Sequence, residues 1–448
     1  MTEILLTHSN HLYSDRKQVA KMQPYPPLQT LIAAAWLRER GFEVTLADIT
    51  LAESPDAMFR AALEKHRPKL VAVVEDSFNF LTKMCTTVNR ELAFRMGAAA
   101  VEAGLPAVVN GSDATDRSAA YREAGFASVI TGEVEKSLEE AARHFVSGHA
   151  DHSWEHAVLR APISDLDTLP DAAWDLIDTS AYRAAWKNAH GRFSINLVSS
   201  RGCPFRCNWC AKPVFGSNYR HRSPERVAQE MSRVKRELGA EHIWFADDIF
   251  ALSPHWTYEF ADAVDRLDAV VPFKMQSRCD LMTRETVGAL RRAGCEEVWM
   301  GAESGAQHIL DAMDKGTRVE HIYEARENLR RHGIRAGFFL QFGYPGETWE
   351  DIERTVRMVR ETSPDDIGVS VSYPLPGTKF HARVAAQLGD KVNWNDSGDL
   401  DMMFHGAYSS DFYRELADAL HEEVRGGVPR WDRVRELERM STKPALTF

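Results

Sequence analysis

The chain reads NLVSSRGCPFRCNWC from Asn196 to Cys210, an apolar run followed by a loop with three cysteines. Gly202 and Pro204 keep this loop out of regular secondary structure, so thiolates spaced C-x3-C-x2-C can turn toward one small object. A structural zinc site uses a fourth Cys or His, and neither lies within ten positions on either side. Soft thiolates on a short loop also suit an iron–sulfur cluster, in which three cysteine ligands leave one iron open.

The spacing of these cysteines, directly after a strand, resembles the signature of radical S-adenosylmethionine (SAM) enzymes. The resemblance implies that Cys203, Cys207 and Cys210 hold a 4Fe-4S cluster whose open iron binds the amino and carboxylate groups of SAM. An electron passed into SAM would release a 5′-deoxyadenosyl radical, which removes a hydrogen atom from an unactivated carbon. The alternatives are a zinc knuckle, a disulfide pair with a spare thiol, or a chance spacing.

The bulk composition predicts a globular protein of the reducing cytosol. With 448 residues and 44% hydrophobic residues, the chain can bury a large core and should form two or three domains. Six cysteines without a secretion signal at Met1 favour a cytoplasmic location over a disulfide framework. No apolar run reaches the roughly 18 residues that span a membrane. The net charge of -11 disfavours nucleic acid as a partner and weakly favours a cationic substrate.

Strands and helices alternate from the start of the chain to about residue 150. This alternation predicts a parallel sheet covered on both faces, which is a Rossmann-like α/β domain. The predicted strands are 3–8, 42–46, 70–74, 107–109 and 128–130, and the predicted helices are 28–40, 57–66, 86–103 and 117–124.

This first domain resembles the cobalamin-binding domain that precedes the barrel in a large radical SAM subfamily. Residues 26–28, 41–44 and 131–133 carry the resemblance. Two positions depart from it, because Gln29 and the sequence Asn-Gly-Ser-Asp at 110–113 stand where the family often has glycines. The chain also has no D-x-H-x-x-G motif to supply an axial histidine. We therefore expect a cobalamin-type fold that has lost its cobalamin, with a cobalamin-binding domain as the alternative.

The alternation of strands and helices resumes after a linker predicted at 151–182. Six β/α units match the partial TIM barrel of the radical SAM family, which we assign to residues 183–385, and residues 386–448 are expected to form a helical cap. The predicted barrel strands are 193–200, 242–247, 272–278, 296–302, 335–342 and 366–373.

Charged and polar residues follow the barrel strands, where the loops of such barrels carry the chemistry. By resemblance, we expect five of them to bind SAM: Asp248, Arg278, Glu303, Gln341 and Tyr373. Carboxylates and an arginine suit the ammonium, hydroxyl and carboxylate groups of this cofactor. The remaining candidates are catalytic: Asp247, Asp280 and Glu347 as partners of ammonium groups or as general acids and bases, and Tyr219 as a donor to a radical intermediate. Each of these residues could instead have only a packing or turn-forming role.

The eroded cobalamin loops and the acidic strand ends resemble the radical SAM 1,2-diol dehydratases of aminoglycoside biosynthesis. That resemblance implies removal of the 3′-hydroxyl of a small cationic sugar such as paromamine, an electron donor such as flavodoxin, and an NADPH-dependent dehydrogenase as partner. One alternative is a cobalamin-dependent radical SAM methyltransferase acting at an sp3 carbon. The alternative from another class is an iron–sulfur protein that only carries electrons or senses redox state.

Overall fold

A computed structural model of the chain describes residues 2–78, 87–147, 157–158, 161–212, 214–389, 391 and 399–441. The protein divides into two compact units. The first comprises residues 1–203, 212–248 and 267–271, and the second comprises residues 204–211, 249–266 and 272–448. The cysteine loop therefore contributes Cys203 to the first unit, and Cys207 and Cys210 to the second.

The first unit contains a parallel sheet with helices between its strands. Its strands are β1 (Ile4–Thr7), β2 (Val44–Ala47), β3 (Leu70–Val74), β4 (Ala107–Asn110), β5 (Ser128–Ile130) and β6 (Ala157–Val158). Their spatial order is β2-β1-β3-β4-β5-β6, and each neighbouring pair is parallel. The accompanying helices are Arg16–Lys21, Leu28–Glu39, Pro55–His66, Thr87–Glu102, Ser112–Asp116, Ser118–Glu123 and Val134–Val146.

Side chains of β1 and β3 alternate between two hydrophobic clusters. Leu5 and Val71 belong to one cluster, whereas Leu6 and Ala72 belong to the other. Because successive residues of a strand point to opposite faces, helices cover both faces of this sheet. The predicted Rossmann-like arrangement is confirmed.

The first unit also holds the strands that lead to and follow the first cysteine. The helix Thr179–His190 precedes β7 (Ser194–Leu197), which pairs in parallel with β10 (His242–Phe245). Between them, β8 (Ser200–Arg201) pairs antiparallel with β9 (Arg220–His221). The helix Pro224–Glu237 begins as predicted, because the Ser223 side chain accepts a hydrogen bond from the backbone N–H of Arg226.

The described residues of the second unit contain four parallel strands separated by helices. These strands are β11 (Phe273–Ser277), β12 (Cys295–Glu303), β13 (Arg335–Phe342) and β14 (Asp366–Val371), and they pair in that order. The helices of this unit are Pro254–Arg266, Arg284–Ala293, Gln307–Ala312, Val319–Arg331, Trp349–Thr362, Lys379–Leu388, Ser410–Val424 and Trp431–Ser441. The predicted β/α alternation and the helical C-terminal region are both confirmed.

One local prediction is confirmed with slightly shifted bounds, and another differs from the structure. The helix predicted at 117–124 is present as Ser118–Glu123, and Arg117 precedes it in a non-helical backbone conformation (φ -128°, ψ 35°). The linker predicted at 151–182 already contains the start of the helix Thr179–His190, because the Asp178 side chain caps it at the backbone N–H of Ser180. The division into domains at residues 150, 182 and 385 stays a prediction. In the part of the chain that the structure describes, no helix is long and apolar enough to cross a membrane.

Candidate functional site

The backbone around the first cysteine is closely packed within the first unit. Gly202 has φ +79°, and a Cβ atom at this position would lie 2.7 Å from the backbone oxygen of Asn218. The backbone N–H of Cys203 donates to the oxygen of Gly216 at 3.3 Å, and the Lys212 ammonium donates to the oxygen of Cys203 at 2.8 Å. Glycine is therefore required at position 202 for the chain to leave β8 and form this turn.

Asn208 fixes the second half of the cysteine loop within the second unit. Its backbone N–H donates to the oxygen of Met313 at 3.0 Å, and its side-chain amide donates to the oxygen of Ala312 at 2.7 Å. Its side-chain oxygen accepts from the Tyr344 hydroxyl at 2.9 Å, and its backbone oxygen accepts from the N–H of Phe380 at 3.0 Å. The backbone and side chain of one buried residue thus tie the segment between Cys207 and Cys210 to three other segments.

The three loop cysteines are free thiols that are only partly buried. Among the described residues, no group of three or more His, Cys, Asp or Glu side chains is placed to hold a metal ion. The donor set itself is soft and carried by one short loop, which is the chemistry that iron–sulfur clusters require. By the chemistry of their donors, Cys203, Cys207 and Cys210 fit a 4Fe-4S cluster.

A buried ion cluster holds the strand directly before Cys203. The Arg201 side chain is 1% exposed and pairs with Glu133 at 2.9 Å and with Glu135 at 2.5 Å. Arg220 pairs with the other oxygen of Glu133. Burial raises the pKa of Glu133, but the arginines lower it further, so that its net pKa lies below the ordinary value. The motif at residues 131–133, noted in the sequence, therefore supplies an anchor for Arg201.

Asp247 at the end of β10 receives its hydrogen bonds from the segment after β7. Ser199 donates to it through its backbone N–H at 3.1 Å and its hydroxyl at 2.7 Å, and Ser200 donates through its hydroxyl. Burial raises the pKa of Asp247 to about 6, although the hydrogen bonds from Ser200 and Ser199 oppose the shift. Burial and then the charge of Asp247 raise the pKa of Tyr219. The structure thus brings Asp247 and Tyr219 together, whereas Asp248 is exposed.

Arg278 and Asp280 form an ion pair at the end of β11 in the second unit. The Arg278 guanidinium contacts both oxygens of Asp280 at 2.9 and 3.1 Å and lies 3.7 Å from the centre of the Phe205 ring. It also donates to the backbone oxygen of Lys315 at 2.9 Å. Arg278 therefore links the cysteine loop to the segment that contains Lys315.

Glu303 at the end of β12 pairs with a residue that the sequence reasoning missed. Its carboxylate lies 2.7 Å from the Lys315 ammonium, and both side chains are less than 8% exposed. Glu303 has φ +59°, at a register shift between β12 and β13. No local sequence pattern marks Lys315, because its pairing with Glu303 depends on the tertiary fold. Asp247, Asp280 and Glu303 all have hydrogen-bond or ion-pair partners within their own units, and the expected cationic substrate stays a prediction.

Gln341 and Tyr373 lie near the ends of β13 and β14. The Gln341 amide donates to the Ser372 hydroxyl at 3.0 Å, so these two strand ends are joined by side chains. The Tyr373 hydroxyl accepts from the backbone N–H of Leu400 at 2.9 Å. Their expected contacts with SAM stay predictions.

Glu347 is a buried carboxylic acid in the turn after β13. One of its oxygens accepts from the backbone N–H of Gly343 at 2.6 Å, and the other has no hydrogen-bond partner. Burial raises the pKa of Glu347 to about 8. This side chain therefore stays mostly protonated to a higher pH than an ordinary glutamate and can donate a proton.

The buried position of Glu347 predicts a pH-dependent stability. The unfolded chain ionises this group above its ordinary pKa of 4.5, whereas the folded chain keeps it protonated to about pH 8. Its contribution is therefore complete below the unfolded pKa and is lost as the pH rises, by on the order of 4 kcal/mol between about pH 5 and about pH 8. Urea unfolding of a Glu347→Gln variant should show a smaller fall. The exposed Glu350→Gln control should match the wild type.

Buried polar atoms without hydrogen-bond partners line the carboxyl edge of the first sheet. They end or follow β1, β3 and β4 or belong to the helix Leu28–Glu39: His8 Nδ1, Gln29 Nε2, Glu75 Oε2, Ser77 Oγ, Asn110 Oδ1 and Ser112 Oγ. Buried polar atoms are normally paired, so such a group indicates a polar ligand. The corrin ring of cobalamin carries amide side chains that both donate and accept hydrogen bonds. The residues present therefore fit this group.

The two departures from the cobalamin family leave this edge polar. Gln29 is fully buried, and its side-chain oxygen accepts from the backbone N–H of Ser77 at 2.9 Å. The two carboxylate oxygens of Asp113 accept hydrogen bonds from the Arg90 guanidinium at 2.5 and 2.7 Å. One of them also accepts from the Tyr121 hydroxyl at 2.9 Å. The side chains at these two departures are therefore polar, and the carboxyl edge of the first sheet keeps its polar character.

Comparison with known proteins assigns the family of the central segment. Residues 197–359 match the model of the Radical SAM superfamily. The chain is 28% identical over 245 residues to an uncharacterized methyltransferase of Pyrococcus horikoshii, covering 54% of this chain and 52% of that protein. It is 26% identical over 329 residues to bacteriochlorophyllide d C-12(1)-methyltransferase of Chlorobaculum tepidum, covering 71% of this chain and 68% of that protein. The chain thus spans about half of the first relative and two thirds of the second.

The fold of nearly the whole chain also has a solved counterpart. The radical SAM methyltransferase TsrM from Kitasatospora setae, solved with cobalamin and a 4Fe-4S cluster bound, matches with a TM-score of 0.71. The match covers 88% of this chain and 79% of TsrM at 19% identity. The expectation of a fold that has lost its cobalamin is contradicted, because this fold is found with cobalamin in place. The prediction treated Gln29 and residues 110–113 as too bulky for a cobalamin site and left out that their side chains are polar.

These comparisons also bear on the predicted reaction. Both relatives named above are methyltransferases, so dehydration of an aminoglycoside has no support from them. The predicted fold class, with its partial barrel, is confirmed by the superfamily match and by the fold of TsrM. The segment 197–359 of this chain therefore belongs to the Radical SAM superfamily.

Proposed function

We propose that this protein is a cobalamin-dependent radical SAM methyltransferase. The observation that carries the proposal is the group of buried, unpartnered polar atoms along the carboxyl edge of the first sheet. It lies in the same chain as a three-cysteine loop within a radical SAM domain. The names of the relatives support methyl transfer, and the cobalamin in TsrM supports the assignment of this edge.

Each cofactor would be held by residues whose surroundings are described above. Cys203, Cys207 and Cys210 would hold the cluster, and the unpartnered side chains that include His8 and Glu75 would receive the corrin amides. When bound, the cluster supplies an electron to SAM and cobalamin carries the methyl group. The chain's own residues orient these groups: Asn208 fixes the cysteine loop, and the Arg201 cluster fixes the strand before it.

The methyl acceptor is proposed only as a chemical class. Radical enzymes of this kind act on carbons that carry no activating group, so we propose an sp3 carbon as the acceptor. A one-electron donor such as flavodoxin would reduce the cluster. Glu347 is a buried strand-end acid whose described hydrogen bond comes from a backbone N–H and not from a charged group.

The experiment is anaerobic purification after growth with excess cobalamin. We expect about four irons and about one corrinoid per chain, measured by iron analysis and visible spectroscopy. Incubation with SAM that carries a deuterated methyl group, plus a one-electron reductant, should then yield 5′-deoxyadenosine. Iron-loaded protein that takes up no corrinoid at saturating concentration would contradict the proposal.

A matched pair of variants tests the position of the corrinoid. Ser112 is buried at the end of β4, and Ala119 is exposed in the next helix. Ser112→Leu should weaken corrinoid binding at least about tenfold with unchanged iron content, because the leucine fills the polar edge. Ala119→Leu should leave both quantities unchanged. Equal corrinoid binding by the two variants would show that the ligand lies elsewhere.

A further inference from the structure

Lys315 carries a buried ammonium group at the end of the segment that supports the cysteine loop. The residue is 6% exposed. Two residues just before it, Ala312 and Met313, accept the hydrogen bonds of Asn208, which follows Cys207 directly. Arg278 holds the backbone oxygen of Lys315 at 2.9 Å. Several contacts thus hold this lysine in a fixed position.

The ammonium of Lys315 is held from the side of β12. Glu303 lies 2.7 Å from it, and a Cβ atom at Gly301 would lie 2.5 Å from the same nitrogen. Glycine at 301 therefore leaves the space that the ion pair occupies. Burying an ion pair costs desolvation energy, so this pair is weak evidence that Lys315 stabilises the fold. The place of its charge indicates a different role.

The charge of Lys315 acts on the cysteine loop. Burial lowers the pKa of Lys315, but Glu303 and then Cys207 raise it, so that the net pKa lies above the ordinary value. The other charged groups beside it are Arg278 and Asp280, which neutralise each other at 2.9 Å. The lysine is thus protonated at neutral pH, and it lies two residues after Met313, whose oxygen accepts from the N–H of Asn208, the neighbour of Cys207.

We propose that Lys315 is an electrostatic positioning residue that raises the reduction potential of the cluster held by Cys203, Cys207 and Cys210. This inference rests on the cluster assigned under the proposed function. On reduction, the cluster takes up one electron from the donor and binds no proton, so the charge of the site becomes more negative by one unit. A positive charge held nearby in a poorly solvated place stabilises that reduced state.

The pair with Glu303 sets the sign of each expected change. Removing the lysine charge leaves the carboxylate alone and disfavours the reduced cluster, whereas removing the carboxylate charge favours it. Removing both should give a potential between those of the two single variants. A purely structural role for Lys315 predicts no such opposite signs, because both single variants break the same contact.

The test is a redox titration of the cluster in SAM-free protein, followed by electron paramagnetic resonance. At a fixed ambient potential, Lys315→Met should lower the ratio of reduced to oxidised cluster at least about tenfold, which is 59 mV for one electron. Lys315→Arg keeps the charge and should stay within about threefold of the wild type. Glu303→Gln should raise the ratio. Because no SAM is present, lost SAM binding cannot produce these shifts.

Each outcome bears on one proposal. Wild-type protein that takes up no cluster would contradict the proposed function, whereas a loaded Lys315→Met variant with an unchanged ratio would overturn only the role of Lys315. If Lys315→Met does not fold with its carboxylate unpaired, the Lys315→Met/Glu303→Gln double variant removes both charges, and Glu303→Gln alone must still raise the ratio. A Glu303→Gln variant with an unchanged or lower ratio would also overturn the inference.

Discussion

A Cys207→Ala variant is expected to lose the four-iron cluster and to form no detectable 5′-deoxyadenosine from SAM. Cys207 is one of three thiols on the loop after β8, and two cysteines cannot hold three corners of a cubane. Its neighbour Asn208 keeps the loop docked through four hydrogen bonds, so the fold should persist without the thiol. Iron analysis, the visible spectrum and chromatography of the SAM products measure the outcome.

The matched control is Cys295→Ala. Cys295 is fully buried at the start of β12, far along the chain from the loop, and behaves as a small apolar residue. This variant should keep about four irons per chain and full SAM cleavage. Retention of the cluster in Cys207→Ala, or its loss in Cys295→Ala, would contradict the assignment of the ligands.

The second large effect is expected at Arg201. An Arg201→Met variant should lower the free energy of unfolding by about 3–5 kcal/mol, because it leaves the buried Glu135 without its cation and Glu133 with Arg220 alone. The side chains of Glu133 and Glu135 are 6% and 0% exposed, so water cannot replace the arginine. Arg220 contacts Glu133 alone and does not satisfy Glu135. The shift of the urea midpoint of iron-free protein measures this change.

An exposed ion pair of the same unit provides the comparison for Arg201. Arg60 and Glu102 lie 2.8 Å apart, with side chains 54% and 61% exposed. Arg60→Met should therefore change the free energy of unfolding by less than about 1 kcal/mol. If the two methionine variants unfold at the same urea concentration, the Arg201 cluster does not have the stabilising role described here.

The sequence was sufficient to predict the elements that carry their own periodicity. The apolar run 70–74 is β3, and the amphipathic run 284–293 is a helix that begins at the Thr283 cap. These elements could be predicted because hydrophobic spacing, caps and glycines act within a few residues of each other.

The surroundings of the site residues could not be predicted in the same way. Asp247 read as a free acid, but the pairing of Phe245 with Leu197 sets Ser199 opposite it, from 48 residues earlier. Lys315 follows an aspartate and precedes a glycine, which is typical of an exposed helix end. Its burial depends on the irregular end of β12 and on Arg278. Strand register and such tertiary contacts leave no local pattern.

The close contact at Gly301 limits which amino acids this protein can accept at that position of β12. Its backbone does not have the positive φ that usually demands glycine, so a survey of backbone angles would pass over it. The addition of one methyl group would nevertheless displace the Lys315 nitrogen, since the two atoms would be 2.5 Å apart. When β12 is randomised and active clones are recovered, position 301 should show the narrowest choice of residues in the strand.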